Sequence, residues 1–144
     1  MAYNLQISDA LAEQMLNAIN ALANGGFIDI WAGTQPANCN TTASGTPLAT
    51  LTLPNPAFAA ATASGGVASV SLASAIASVT AGATGAAIWF RVHKSGDAHT
   101  AAGLFDGTVG TGSGYDLLMN STAISSGATV AISALQFSLN ESGT

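Results

Sequence analysis

Large apolar residues are sparse in this chain and fall into short runs separated by Gly, Ser, Thr and Asn. Near the start, Leu11, Met15, Ala18, Ile19 and Leu22 recur at helical spacing, and Leu16 widens the stripe. Ala12, Ala21 and Ala23 favour helix. Ser8 suits an N-cap, Asp9 and Glu13 lie toward the positive end of the dipole, and Gly25-Gly26 stops the run. The pattern predicts one helix over residues 8–24. Its apolar stripe can pack on its own domain or dock on a neighbouring subunit.

The rest of the chain has period two. Residues 27–32 predict a strand with Ile28 and Ile30 on one face and Phe27, Asp29 and Trp31 on the other. Ala49, Leu51 and Leu53 then alternate with Thr50 and Thr52, until Pro54-Asn55-Pro56 breaks the run. Residues 57–63, anchored by Phe58, read as a weak strand, suited to a sheet edge or to the close approach of another backbone. Residues 67–72 follow the Ser64-Gly65-Gly66 turn, and 74–80 fit a helical turn or a loop. Residues 86–93 carry the densest run of large side chains and predict a central strand. Ile88, Phe90 and Val92 point inward there, and Trp89, Arg91 and His93 form a mixed outer face. Lys94-Ser95-Gly96-Asp97 ends it with turn chemistry.

Residues 104–109 and 115–120 predict two more strands. In residues 128–139, Val130 and Ile132 hold one phase while Leu135, Phe137 and Leu139 hold the other. One extra residue restores a single inward face, which predicts a β-bulge or a switch between sheets near Ser133-Ala134. One helix and about seven or eight short strands with Gly-rich turns read as a mainly β chain. The expected architecture is an antiparallel β-sandwich, Ig-like or jelly-roll-like, with one N-terminal α-helix. Residues 1–144 read as a single domain, with the helix at 8–24 and the sandwich at 27–139.

Charge narrows the function. Only 6% of residues are charged, against roughly 25% in an ordinary globular chain. Arg91 and Lys94 are the only cations beside seven carboxylates, for a net charge of −5. Two cations cannot make the basic patch that nucleic acid or an anionic membrane surface requires. No stretch is long and apolar enough for a membrane span, and residues 1–6 lack the features of a secretory signal. A Ser/Thr/Asn/Gly/Ala surface has little repulsion between copies and few charges to desolvate at a contact. It suits a dense assembly, although secreted β-proteins share this composition.

Candidate chemistry is thin. Cys39, the only cysteine, sits in the polar 33–47 loop and reads as a free surface thiol. His93, Asp97 and His99 are metal-ligand types, but hairpin spacing does not make them converge, and exposed turn histidines are the simpler account. Asp97, Asp106 and Asp116 sit beside turns without forming a contiguous calcium loop. No nucleophile elbow is present, and Gly110–Gly114 lacks the context of a phosphate cradle. Trp31, Trp89 and Tyr115 could stack on sugars, but core or interface anchoring is the commoner use. No catalytic, cofactor-binding or metal-binding residue is assigned, and the chain reads as a non-enzyme.

One resemblance runs through nearly the whole chain in order. Its parts are Gly33-Thr34-Gln35-Pro36-Ala37, Leu48-Ala49-Thr50-Leu51-Thr52-Leu53, Pro56-Ala57-Phe58, Gly65-Gly66-Val67, Trp89-Phe90-Arg91-Val92 and Asp106-Gly107-Thr108-Val109-Gly110. Asn120-Ser121-Thr122 and Gly127-Ala128-Thr129-Val130 complete the series. The motifs are short, and their specificity lies in their succession. Together they resemble a family of small virion structural proteins of tailed bacteriophages. The resemblance implies a capsid decoration (cement) protein on the head surface, made in the host cytoplasm. Its partner would be the major capsid protein, with self-association as a trimer or other homo-oligomer. Copies would sit at symmetry axes or between capsomers, with roughly 800 Å² of contact per partner repeated over many sites. The candidate contacts are Leu11 and Met15 on the helix, Gln35 and Pro36 in the long loop, and Lys94 and His99 in the hairpin. A tail, neck or fibre-associated protein is the alternative within this class, and a carbohydrate-binding module for host recognition is the contrasting one.

Overall fold

The computed structural model describes residues 4–141. Helix α1 (Asp9–Ala23) is capped by Ser8, whose Oγ accepts a hydrogen bond from Leu11 N at 3.3 Å. It buries Ala12, Leu16 and Ala23 and leaves Leu11, Met15 and Leu22 about half exposed. Gly26 then lets the chain pass close against the backbone at His93, because a Cβ at this position would overlap the His93 carbonyl oxygen.

Strands follow in chain order: β1 (Phe27–Trp31), β2 (Ala49–Thr52), β3 (Thr62–Ser64), β4 (Val67–Ser71), β5 (Val79–Thr80) and β6 (Gly85–Ala86). After these come β7 (Trp89–His93), β8 (Phe105–Gly110), β9 (Leu117–Met119), β10 (Ala123–Ile124), β11 (Thr129–Val130) and β12 (Ile132–Asn140). Eight of them form one sheet in the order β2-β1-β7-β8-β9-β12-β4-β3. The pairs β10-β6 and β11-β5 form two short ribbons. The large sheet is curled and mostly antiparallel, so the architecture is mainly β and sandwich-like, with one helix. Ile28, Ile30 and Leu51 from one end of the sheet share a core with Val70 and Leu135 from the other. Helix α1 lies on β3 and β4.

The expected central strand is central, with β1 and β8 on either side of β7. Its start is later than the apolar run suggested. Gly85–Ala86 pairs with β10, and Ile88 falls between the strands with its side chain half exposed, not inward. The expected irregularity near Ser133-Ala134 is present. The register of β12 against β9 shifts between Ile132 and Ala134, and the preceding β11 belongs to a separate ribbon. Residues 57–63 do lie at the sheet edge, through an isolated Phe58–Leu72 bridge and β3. One neighbouring pair departs from the antiparallel expectation. Strands β8 and β9 run parallel over the two pairs Val109–Leu117 and Gly110–Leu118.

Candidate functional site

Alternation along β1 and β7 stacks their odd-numbered side chains in cross-strand register, Phe27 against His93, Asp29 against Arg91 and Trp31 against Trp89. The middle row continues outward to Thr50 on β2 and Asp106 on β8. This is the face that the sequence left open to solvent as a mixed outer surface. It is closed: Trp31 and Trp89 are 2% exposed, and Arg91 and His93 not at all.

Two loops close it. The 33–47 loop and the 94–104 connection are joined by backbone bonds from Ala43 N to Thr100 O and from Gly103 N to Cys39 O, each 3.1 Å. Arg91 fastens both loops to the sheet. Its guanidinium pairs with Asp106 Oδ2 at 2.7 Å and donates to the carbonyls of Thr41 (2.7 Å) and Ala101 (3.2 Å). Removing a guanidinium from water costs several kcal/mol, which is offset only when its planar fork is filled, as here. Gln35 Nε2 adds a bond to Asp106 Oδ1 at 2.9 Å. Asp29, wholly buried, accepts from Thr50 Oγ1 and lies 2.8 Å from His99 Nδ1. Beneath the loops the Trp31 and Trp89 rings stack at 5.4 Å against buried Ala43, with Arg91 over the Trp89 ring at 5.3 Å.

His93 is therefore not an exposed turn histidine. It stacks on Phe27 at 4.8 Å, and neither ring nitrogen has a hydrogen-bond partner among the described residues. Burial holds its pKa below the usual histidine value, against the opposing pull of Asp29 and Asp97. Cys39 is half covered by the same loops, and burial, reinforced by Asp106, raises its thiol pKa. The carboxylates weighed for calcium do not converge. Asp97 accepts from Lys94 N, Asp106 is held by Arg91, and Asp116 accepts from Thr108. Among the described residues no group of three His, Cys, Asp or Glu side chains is placed to hold a metal ion.

The candidate contacts divide between two regions. Gln35 and His99 belong to the fastened loops, where both bond to buried or partly buried carboxylates; Pro36 is half-buried beside Gln35, and Lys94 is exposed. Leu11 and Met15 lie elsewhere, on the outward side of α1. Met15 and Leu22 border a cleft of about 230 Å³ whose other wall includes Leu104, Phe105, Phe137 and Leu139. No charged residue lines it. Phe137 and Leu139 take the inward phase that the sequence predicted and pack against the core, alternating with exposed Gln136, Ser138 and Asn140, but they are only half-buried and line this cleft.

A second row of α1 went unread in the sequence. Glu13, Asn17, Asn20 and Asn24 share one side of the helix, and their side-chain oxygens accept from the backbone N–H groups of Ala63, Ala61, Phe58 and Ala57. The polar spacing of four, three and four residues beside a weak strand was the available signal. No helix among the described residues is long and apolar enough to cross a membrane. No protein-family model, curated protein or solved structure matches the chain.

Proposed function

We propose that this chain is a structural protein of a tailed-phage virion, a decoration protein that binds the outer surface of the major capsid protein lattice and stabilises the head. The observation that carries this reading is the uncharged apolar cleft beside α1, where Met15 and Leu22 stand about half exposed. A contiguous apolar strip of this kind supports reading this side of the molecule as a contact surface. The surroundings support a close fit between many copies. Arg91 is committed to Asp106, so Lys94 is the one exposed cation among the described residues. A partner meeting this surface has few charges to desolvate. The resemblance noted in the sequence supports the phage setting, and self-association of the chain on the lattice belongs to the same reading.

The test is the copy number of this chain relative to the major capsid protein in purified particles, measured by quantitative mass spectrometry. A number comparable to that of the capsid subunit or capsomer supports decoration. A small fraction moves the chain to the tail, neck or fibre. Absence from the particle overturns the virion reading.

A further inference from the structure

On the other side of the Phe105–Phe137 pair, whose rings lie 4.9 Å apart, a second cleft of about 290 Å³ opens with a different character. Its apolar floor is Phe90, Phe105 and Phe137, and its polar rim includes Asp116, Gln136 and Ser138. Tyr115 stands at the mouth with half its surface exposed. From this arrangement we infer a binding site for a neutral saccharide, one or two sugar rings in size.

Two glycines of β8 build the site. The connection from β8 to β9 folds Tyr115 and Asp116 back onto the strand they have just left. A Cβ at Gly110 would overlap the Tyr115 ring, and one at Gly107 would stand 2.7 Å from Asp116 Oδ2. The Tyr115 ring therefore rests against the bare backbone of Gly110 and leaves half of its surface exposed for a ligand to stack on. Asp116 is fixed as well, since its Oδ2 accepts from both Thr108 N and Thr108 Oγ1 at 2.9 Å. A ligand meets groups already in place, which lowers the entropy lost on binding.

The lining selects the chemistry. A sugar ring has an apolar C–H face, which suits an aromatic platform, and an edge of hydroxyls that both donate and accept. Asp116 accepts only, whereas the Gln136 amide and Ser138 hydroxyl do both. Asp106 also lines the cleft, with its charge matched by Arg91, so Asp116 is the one carboxylate there without a cation among the described residues. An ammonium group would find the aromatic rings and Asp116 attractive. It cannot use the donors of Gln136 and Ser138, because it has no acceptor. The volume lies at the lower end of ligand sites, roughly 300 Å³ and upward, which fits a small saccharide. The site is distinct from Trp31 and Trp89, whose burial removes them as sugar platforms.

The test is a titration of the ¹⁵N-labelled chain with a panel of neutral mono- and disaccharides at tens of millimolar, followed by amide chemical shifts. Saturable shifts confined to β8, residues 111–117 and Gln136–Ser138 with at least one sugar support the site. Y115A and D116N should then weaken that sugar about tenfold or more, while L22S in the neighbouring cleft leaves it unchanged. If a variant fails to fold, the shift map of the unmodified chain decides. The inference is overturned if no sugar in the panel produces saturable shifts, if the shifts map elsewhere, or if folded Y115A and D116N bind as well as the parent. It is equally overturned if N-acetyl-lysine methylamide occupies the cleft and no sugar does.

Discussion

Asn20 grips the backbone of Phe58 with both ends of its amide. Its Oδ1 accepts from Phe58 N at 2.7 Å, and its Nδ2 donates to Phe58 O at 2.9 Å. With Glu13, Asn17 and Asn24 beside it, the helix supplies hydrogen bonds that a further strand would otherwise supply along residues 57–63. An unpaired sheet edge invites pairing with another chain, and side chains of α1 occupy this one.

N20A should destabilise the fold by about 2–3 kcal/mol, since it removes two hydrogen bonds and leaves Phe58 N–H and C=O without partners. N20D keeps an acceptor for Phe58 N and loses the donor, so roughly half of that cost is expected. Urea denaturation of the three proteins measures both effects.

R91M should be among the most damaging single changes. It leaves Asp106, little exposed, without its cation and two loops without their fastening, at about 3–5 kcal/mol. The double variant R91M/D106L removes both charges and should recover part of that loss. Equal stability of the single and double variants in thermal unfolding would contradict this account.

The His93 site should make the protein acid-sensitive. Its pKa is lowered in the fold by burial, with Asp29 and Asp97 opposing and Arg91 and His99 reinforcing. The unfolded chain then binds the proton more readily than the native one. Stability from this group is complete above the ordinary histidine pKa of about 6.5 and is lost as pH falls through and below it. H93F keeps a ring to stack on Phe27 and removes the titration, so its stability should fall less between neutral pH and pH 5. Denaturation midpoints across that range provide the check.

G26A should cost at least about 1–3 kcal/mol, because the added methyl meets the His93 carbonyl, a backbone group that cannot swing aside. G112A has open space around it and should change stability by less than about 0.5 kcal/mol. Parallel thermal melts distinguish the two positions.

M15E and L22E should leave stability within about 1 kcal/mol of the parent, since both side chains are about half exposed. Under the decoration proposal each variant should nevertheless fail to bind particles stripped of this chain, because a carboxylate would be buried in an apolar contact. Co-sedimentation with such particles is the measurement.

Much of the fold was legible because its signals are local. The Ser8 cap, the glycine stop after α1, the Lys94–Asp97 turn and the phase change before Leu135 each depend on a few adjacent residues, and each is found in the structure. The covered face was not legible. Trp89, Arg91 and His93 alternate as outward positions should, and nothing near them in the chain says that residues 33–47 and 94–104 will fold across them. Asp29 offered the clearest missed hint, a lone carboxylate in the apolar run from Phe27 to Trp31.

The sequence by itself determined the mainly β character, the single capped helix, the central strand and the low-charge surface, because periodicity, capping chemistry and composition act over short range. Tertiary structure decided which apolar side chains became core. Leu16 is buried while Met15 next to it stays half exposed, since α1 turns Ala12, Leu16 and Ala23 toward β3 and β4. It also decided that Arg91 meets Asp106 beneath two loops, and that Tyr115 and Asp116 fold back over Gly110 and Gly107. Those contacts depend on how the sheet curls and where its loops return, which side chains distant in the chain settle jointly.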